Sequence, residues 1–228
     1  MWRDDTEMFQ TMRDKLFTAV VGDVLDAAGC FHQFLPPGIQ PLRDDMIVAG
    51  RALPVLEEDI ADAEISSAAA RARKPFGRML EALDDLKSNE VYVCSGASLT
   101  YATWGELMSI RARQLGCAGA VLDGYSRDTR GILQLNFPTF SRGRYAQDQR
   151  PRGQVVDFRL SIHIGKVAVS PGDIVFGDLD GVLIIPRSIE KKVLREALDR
   201  VSREHLLRNA FERDGISAVD GAAKFGVM

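Results

Sequence analysis

Cysteine is scarce in this sequence and the net charge is small, and each of these features excludes a class of protein. The three cysteines among 228 residues, Cys30, Cys94 and Cys117, form no CxxC pair and are too scattered for a disulfide framework. With 29 basic and 32 acidic residues, the formal net charge of -3 gives no long-range attraction to nucleic acid or to an anionic membrane surface. The sequence therefore predicts a protein of a reducing compartment that is not steered by its bulk charge.

Long apolar runs and nucleotide-binding motifs are missing as well. No stretch approaches the roughly 18 uninterrupted apolar residues of a membrane-spanning helix, and the N-terminal MWRDDTEMFQ has no apolar segment after its charges. The sequence contains neither a P-loop nor a glycine-rich dinucleotide loop, so it predicts no nucleotide site. We therefore expect a cytoplasmic protein with no membrane partner and no nucleic-acid partner.

The composition that remains is that of an ordinary globular chain. Its 46% hydrophobic and 27% charged residues suffice for one sizeable core, and the length does not require two domains. Helical patterns occur at both ends with strands between them, and no internal repeat is visible. We expect a single α/β domain over 1–228, with N-terminal helices in 1–29, an α/β core in 46–186 and a C-terminal helical extension in 188–228.

Apolar spacing and turn residues predict the individual elements. Residues 5–16 form one predicted helix, and Thr18 is expected to cap a second that runs to residue 28 and ends at Gly29. The core is predicted to contain a strand over 46–55 that Gly50 breaks, a helix over 76–86, a strand over 90–94, a helix from 104 to 115 and a strand over 118–122. Further strands are predicted at 155–164, at 167–169 and on both sides of the Asp180-Gly181 turn, followed by a long helix at 188–212.

The stretch VLDGYSRDTRG, residues 121–131, places two opposite charges, Arg127 and Asp128, just after an apolar strand. Upstream, Gly105 and Glu106 begin the helix that leads into this strand. Ligands of open α/β sheets bind beyond the carboxyl ends of strands, and the N–H groups at a helix N-terminus attract anions. Together these features predict a site for a carboxylate ligand and a metal. The alternative, which is the more frequent one for an isolated Arg-Asp pair, is that Asp128 only caps the next helix beside a solvated arginine.

Four motifs in a fixed order give this sequence a family resemblance. They are GELM at 105–108, GCAGAVLDGYSRD at 116–128, FP-F-RG at 137–143 and PGDIVFGDLDGVLIIP at 171–186. In combination they resemble the family that contains the 4-hydroxy-4-methyl-2-oxoglutarate aldolases and the ribonuclease E activity regulators, from about Thr18 to the C-terminus. The resemblance implies a three-layer β/β/α fold of the swivelling-domain type, with a helical N-terminus and a long C-terminal helix, that assembles as a homotrimer or homohexamer.

The aldolase branch of that family is marked by an acidic residue, twenty intervening residues and an Arg-Asp pair, and Glu106 followed by Arg127 and Asp128 matches this pattern. The resemblance implies that Asp128 is the direct protein ligand of a divalent metal, Mg²⁺ or Mn²⁺, and that Arg127 holds the 2-oxo oxygen of the substrate. Glu106 would hold water at the metal. The substrate carboxylate would accept hydrogen bonds from the N–H groups of Gly105, Glu106, Leu107 and Met108.

The implied activity is cleavage of a 4-hydroxy-2-oxo acid, similar to 4-hydroxy-4-methyl-2-oxoglutarate, to pyruvate through an enolate that the metal stabilises. Decarboxylation of oxaloacetate leads to the same enolate, so we expect it as a side activity of one site. Cleavage also needs a base for the 4-hydroxyl proton, and the resemblance points to Glu204, reaching a neighbouring subunit's site from the C-terminal helix. Glu204 could equally be a solvated carboxylate that pairs with Arg200 or Arg208.

The second function that the family allows is a non-catalytic regulator that binds and inhibits a ribonuclease. The Glu106-x20-Arg127-Asp128 pattern favours the lyase, because a binding role does not need it.

Other polar residues have simpler interpretations. His32, His163 and His205 show no metal-ligand spacing, and Asp178 and Asp180 fit a hairpin turn as well as a metal pair. The arginine-rich run at 141–153 is expected to be a solvated loop, with contact to an anionic substrate tail or a neighbouring subunit as the alternative. The stretch ISSAAARARKPFGRM, residues 65–79, is interpreted as a lid over the site or a surface helix.

Overall fold

The structure, a computed structural model, describes residues 2–61, 65 and 75–227. Its chain begins with two helices, α1 (Asp5–Lys15) and α2 (Thr18–Ala27), and both confirm the prediction. The prediction that Thr18 caps α2 is wrong, because Phe17 is the N-cap residue. The capping side chain instead comes from Asp178, whose Oδ2 accepts a hydrogen bond from the Thr18 backbone N–H at 2.7 Å.

Twelve strands and five further helices follow in the described part of the chain. The strands are β1 (Gln40–Pro41), β2 (Val48–Asp59), β3 (Glu90–Ser95), β4 (Ala102–Trp104), β5 (Gly119–Leu122), β6 (Tyr125–Ser126), β7 (Thr139–Ser141), β8 (Gly153–Phe158), β9 (Ile162–Ile164), β10 (Val167–Val169), β11 (Ile174–Asp178) and β12 (Gly181–Ile185). The helices are α3 (Met79–Asp84), α4 (Glu106–Gln114), α5 (Thr129–Leu135), α6 (Glu190–Asp214) and α7 (Ala218–Phe225).

The main sheet has eight strands in the order β1-β7-β5-β3-β2-β11-β12, with β8 paired to the second half of β2. Neighbours β2, β3, β5 and β7 are parallel, and the connections between them contain α3, α4 and α5 in turn. Parallel neighbours joined by helices direct the carboxyl ends of these strands to one edge of the sheet. The prediction named one central βαβ unit, and the structure contains three in succession.

Three predicted elements have different bounds in the structure. Gly50 does not break its strand: β2 runs unbroken for 12 residues, and a β-carbon at position 50 would lie 2.5 Å from the Asn89 carbonyl oxygen. Glycine therefore permits a close backbone approach there. The predicted helix at 76–86 is confined to α3, since Phe76 has a φ of 63°. The segment at 155–164 divides into β8 and β9 around Arg159, whose φ is 60°.

Two apolar clusters flank the sheet. One packs α1, α2 and α6 on β11 and β12, and the other packs α3, α4 and α5 on β2, β3 and β5 together with the β9–β10 pair. The predicted α/β class with a helical N-terminus and a long C-terminal helix is confirmed, as is the β/β/α arrangement that the resemblance implies. Within the residues that the structure describes, no helix has the length and apolar character needed to cross a bilayer.

Candidate active site

The short parallel pair β4 and β6 brings the two halves of the predicted site together. Trp104, the last residue of β4, accepts a hydrogen bond at its carbonyl oxygen from the Arg127 backbone N–H at 2.9 Å. The buried Trp104 indole also donates to Ser109 Oγ at 2.7 Å, which ties β4 to the first turns of α4. The N-terminus of α4 therefore lies beside the segment that follows β5, as the sequence predicts.

Asp128 occupies the N-cap position of α5 in a left-handed conformation, with a φ of 55°, but it does not act as a cap. Its side chain makes no capping hydrogen bond to α5 in the part of the chain that is described. Instead Oδ2 accepts a long hydrogen bond, 3.4 Å, from the backbone N–H of Glu106 at the start of α4. Asp128 therefore holds the N-cap position that the alternative interpretation gives it, but its side chain does not provide the cap.

Gly105 makes room for this carboxylate. A β-carbon at position 105 would lie 2.7 Å from Asp128 Oδ2, closer than non-bonded atoms allow. The glycine that begins GELM is thus required by the approach of Asp128 to the helix N-terminus.

Arg127 contacts two carboxylates. Its Nη1 lies 3.3 Å from Asp148 Oδ1, and its Nε lies 3.9 Å from Asp128 Oδ2. All three side chains are between 36% and 47% exposed, so these ion pairs contribute little to stability and can rearrange when a ligand arrives. Asp148 was missed from the sequence because it lies in the arginine-rich run expected to be a solvated loop. The bridge between that run and β4, in which the Ala102 N–H donates to the Gln147 carbonyl at 2.8 Å, brings Asp148 to the site.

Glu106 lies on the other side of Asp128, over helix α5. A β-carbon at Gly131 would lie 2.5 Å from Glu106 Oε1, so the absence of a side chain at 131 makes space for this carboxyl group. Glu106 and Asp128 line a common depression of about 360 Å³. An isolated glycine inside a helical pattern is the sequence signal that would have found Gly131.

The donor set fits a hard divalent cation held mainly by water. In the described residues no three side chains of His, Cys, Asp or Glu converge as a closed metal cage. One carboxylate at Asp128, with a second at Glu106 in the same depression, matches the one or two carboxylates and several waters with which Mg²⁺ is usually bound. The N–H groups of α4 beside them favour a second, anionic ligand.

A cavity of about 340 Å³ opens next to Asp128. Of the predicted substrate-binding residues, Gly105, Leu107, Met108 and Arg127 line it together with Asp128, whereas Glu106 is not among the described lining residues. The other lining residues are Phe76, Met79, Leu80, Leu83, Ala102, Thr103, Trp104, Asp148 and Gln149. A larger cavity, about 570 Å³, lies between α1 and α6 and is lined by Trp2 and several exposed basic side chains, but none of the predicted site residues reach it.

A buried carboxyl group contacts a lining residue of the cavity beside Asp128. Glu57 on β2 is 2% exposed, and its Oε2 accepts a hydrogen bond at 2.8 Å from Nε2 of the cavity residue Gln149. Burial raises the pKa of Glu57 to about 8, and the nearby Asp59 charge acts in the same direction, while hydrogen bonds from Cys94 and Gln149 oppose it. Glu57 falls just beyond the predicted strand at 46–55 and was not identified from the sequence.

Glu204 lies on α6, which packs against α2. Its Oε1 accepts from Arg200 Nε at 3.2 Å, and Arg200 Nη2 donates to Asp23 Oδ2 at 2.6 Å. Within one chain, Glu204 therefore pairs with Arg200 on its own helix, as the alternative interpretation predicts. No described lining residue of the Asp128 cavity belongs to α6. Its role in a neighbouring subunit's site stays a prediction.

The simpler interpretations hold for the histidines and for the two aspartates of the turn, but the run at 141–153 is not simply a solvated loop, since Gln149 is buried and Arg142 pairs with Asp123. Asp178 and Asp180 belong to the β11–β12 turn, in which Asp178 Oδ1 accepts from the Asp180 N–H at 3.0 Å. The three histidines are exposed. The proposed lid at 65–79 lies largely outside the described residues, although Phe76 and Met79 from its end line the cavity.

The fold and site define an α/β protein that has a carboxylate at a helix N-terminus, next to an arginine and a partly apolar cavity. Residues 18–184 match the model of the family described as RraA-like, Aldolase/RraA, and the chain belongs to this family. The resemblance inferred from the four motifs is thereby confirmed.

Similar proteins carry names from both branches of the family. A protein of Halalkalibacterium halodurans with the provisional name 4-hydroxy-4-methyl-2-oxoglutarate aldolase is 32% identical over 142 residues, which cover 62% of this chain and 67% of that protein. Protein DlpA of Legionella pneumophila is 27% identical over 184 residues, which cover 79% of this chain but only 28% of DlpA. The crystal structure of Streptomyces coelicolor RraAS2, described as an unusual member of the RNase ES inhibitor RraA protein family, has a TM-score of 0.76 and 20% identity over 91% of this chain and 98% of that one. At this identity the likeness shows the fold alone.

Proposed function

We propose that this protein is a carbon-carbon lyase that cleaves a 4-hydroxy-2-oxo acid to pyruvate, with Mg²⁺ or Mn²⁺ held by Asp128. One observation carries the proposal. Asp128 sits where a helix cap is expected, yet its carboxylate approaches the N-terminus of α4 at 3.4 Å and makes no cap to α5 within the described residues. A side chain that served only as a cap would accept a hydrogen bond from the first turn of α5 and would not approach α4. The name of the Halalkalibacterium relative supports the same class of reaction.

Each residue of the site has a separate role in the proposed reaction. The N–H groups of Gly105, Glu106, Leu107 and Met108 at the start of α4 bind the substrate carboxylate. Arg127, beside Asp128, donates to the 2-oxo oxygen, where negative charge develops as the C3–C4 bond breaks. Asp128 would hold the metal, which would supply Lewis-acid stabilisation of the developing negative charge, and the Glu106 carboxylate would hold water beside it.

The reaction also has to move one proton. The 4-hydroxyl proton leaves to a base as its oxygen becomes the carbonyl of the second product, and C3 takes up a proton to complete pyruvate. We assign the base to Glu204 of a neighbouring subunit, which requires the homotrimer or homohexamer that the family resemblance implies. Decarboxylation of oxaloacetate yields the same enolate and needs no such base, so the same site is proposed to catalyse it.

The alternative is a regulator that inhibits a ribonuclease, the role named for the family of the Streptomyces structure. A binding surface requires neither the approach of Asp128 to α4 nor the space that Gly131 leaves for Glu106, and both features are present. The site geometry therefore favours the lyase.

The test combines metal removal with one substitution. Pyruvate release from 4-hydroxy-2-oxo acids is measured before and after EDTA treatment and after Mg²⁺ or Mn²⁺ is returned, and Mn²⁺ binding is followed by calorimetry. We expect EDTA to abolish pyruvate release, the metals to restore it, and Asp128→Asn to lose both activity and Mn²⁺ binding. Asparagine tolerates the left-handed backbone at 128, so this variant should fold normally.

Asp180→Asn is the matched control, since Asp180 is an exposed aspartate in the distant β11–β12 turn. It should bind Mn²⁺ and release pyruvate as the wild type does. Full activity after exhaustive chelation, or unchanged Mn²⁺ binding by Asp128→Asn, would contradict the proposal.

A further inference from the structure

The cavity beside Asp128 has one polar end and one apolar wall. The polar end consists of Thr103, Arg127, Asp128, Asp148 and Gln149. The apolar wall comes from α3, the segment before it and the first turn of α4, and consists of Phe76, Met79, Leu80, Leu83, Leu107 and Met108. A cavity of this kind suits a ligand that is itself polar at one end and apolar at the other.

Two leucines of the wall are unusually exposed. Leu80 is 52% and Leu107 78% exposed, while Met79 and Leu83 beside them are 8% and 6% exposed. The exposed leucines thus extend a buried apolar surface to the cavity mouth. Such a surface binds alkyl or aryl groups and offers nothing to a charged one.

The charges of the cavity also favour a ligand with an uncharged tail. Arg127 is the only cation among the described lining residues, and it lies 3.3 Å from Asp148 and is assigned to the 2-oxo oxygen. A second carboxylate at the end of a long C4 tail would find no further cation among these lining residues and would lose hydration against the apolar wall. Arg144 and Arg130 line the two adjoining depressions instead. Residues 62–64 and 66–74 lie outside the described part of the chain.

We propose that the substrate is a monocarboxylic 4-hydroxy-2-oxo acid whose C4 carries an alkyl or aryl tail, packed against Leu80, Leu83 and Leu107. This inference rests on the proposed lyase function and specifies its substrate class. The C3–C4 bond breaks with its electron pair retained by the pyruvate fragment, the 4-hydroxyl proton is lost, and C3 is protonated. The products are pyruvate and an apolar aldehyde or ketone, without any oxidant or reductant. The substrate class therefore differs from the dicarboxylate in the name of the Halalkalibacterium relative.

The experiment compares two substrates that differ only at the end of the tail. Racemic 4-hydroxy-2-oxoheptanoate ends in a methyl group and yields butanal, whereas 4-hydroxy-2-oxoheptanedioate ends in a carboxylate and yields 4-oxobutanoate. Both release pyruvate, which is measured by one assay with Mg²⁺ or Mn²⁺ present. We expect kcat/KM to be at least about tenfold higher for the heptanoate, and to rise about fourfold for each methylene added to a short alkyl tail.

One substitution should reverse the preference. Leu80→Lys places an ammonium on the apolar wall and keeps a good helix-forming residue in α3. We expect it to raise the ratio of kcat/KM for the heptanedioate to that for the heptanoate by about tenfold. Leu179→Lys is the matched control: Leu179 is also 52% exposed, but it lies in the β11–β12 turn and does not line the cavity. Its ratio should equal that of the wild type.

Two outcomes distinguish the inference from the function on which it rests. If neither acid releases pyruvate with either metal, the apolar substrate class is wrong, and if 4-hydroxy-4-methyl-2-oxoglutarate releases none either, the lyase proposal fails as well. If pyruvate is released but the heptanedioate is preferred, and Arg144→Ala or Arg130→Ala removes that preference, the lyase stands and the apolar substrate class is wrong. An unchanged ratio in Leu80→Lys also overturns the inference.

Discussion

The carboxyl group of Glu106 lies against Gly131, where a β-carbon would come within 2.5 Å of Glu106 Oε1. The two residues belong to successive helices, α4 and α5, on either side of the Asp128 loop. The position of Glu106 beside Asp128 thus depends on the absence of a side chain one helix away.

Gly131→Ala should displace Glu106 without unfolding the protein. Alanine favours a helix more than glycine does, so the free energy of unfolding should change little, while pyruvate release should fall by about tenfold or more. The measurement is steady-state kinetics of Gly131→Ala, Glu106→Ala and the double variant. If the alanine acts through Glu106, the double variant should be no slower than Glu106→Ala alone. Additive losses would show that Gly131 has a separate role.

Arg127→Lys should lower kcat/KM for pyruvate release by on the order of a hundredfold. Lysine keeps the positive charge but loses the planar fork that can contact the 2-oxo oxygen and Asp148 together. Thermal unfolding should be unchanged, because the ion pairs of Arg127 are exposed. Arg111→Lys, on the exposed face of α4, is the control and should be fully active. A near-normal rate for Arg127→Lys would remove this residue from catalysis.

Glu204→Gln should separate the two proposed reactions. Aldol cleavage must remove a 4-hydroxyl proton and should slow by about a hundredfold, whereas oxaloacetate decarboxylation has no such proton and should be nearly unaffected. Oxalate, a mimic of the enolate, should inhibit both reactions competitively with the same inhibition constant. The control is Glu196→Gln, an exposed glutamate on the same helix. Equal small losses in both reactions would leave Glu204 as the partner of Arg200 only.

Glu57→Gln should flatten the dependence of stability on pH. Burial raises the pKa of Glu57 to about 8, so from about pH 4.5 to pH 8 the unfolded chain has released a proton that the folded protein keeps. The unfolded state then binds fewer protons, and this group lowers the free energy of unfolding as the pH rises through that range. The variant lacks the titrating group and should lose this decline, which amounts to a few kcal/mol.

The measurement is urea unfolding of the wild type and Glu57→Gln between pH 5 and pH 8. The groups that face Glu57 do not complicate this range, because burial raises the pKa values of Tyr92 and Cys94 well above their usual ranges and also raises that of Tyr101. Glu58→Gln, at the exposed neighbouring position, should keep the wild-type dependence. An identical pH profile for wild type and Glu57→Gln would show that Glu57 is already ionised in the folded protein.

Features set by neighbouring residues could be predicted from the sequence. The bounds of α1, the turn at Asp180-Gly181 and the position of Arg127 and Asp128 after β5 follow from apolar spacing, glycine and charge within a few residues. These signals are local because helix periodicity and turn chemistry act over a few residues. The family motifs added the expected roles of Glu106 and Asp128, which stay predictions.

By itself, the sequence therefore determined the fold class and identified most of the candidate site residues. Only the tertiary structure decided what those residues contact. Asp178 caps α2 from 160 positions away, Gln149 reaches Glu57 across 92 positions, and Asp148 meets Arg127 through a loop that no local pattern marks. The physical reason is that a side chain's partner, burial and pKa depend on which distant segments the sheet brings together, and that pairing is a property of the whole core rather than of any short stretch.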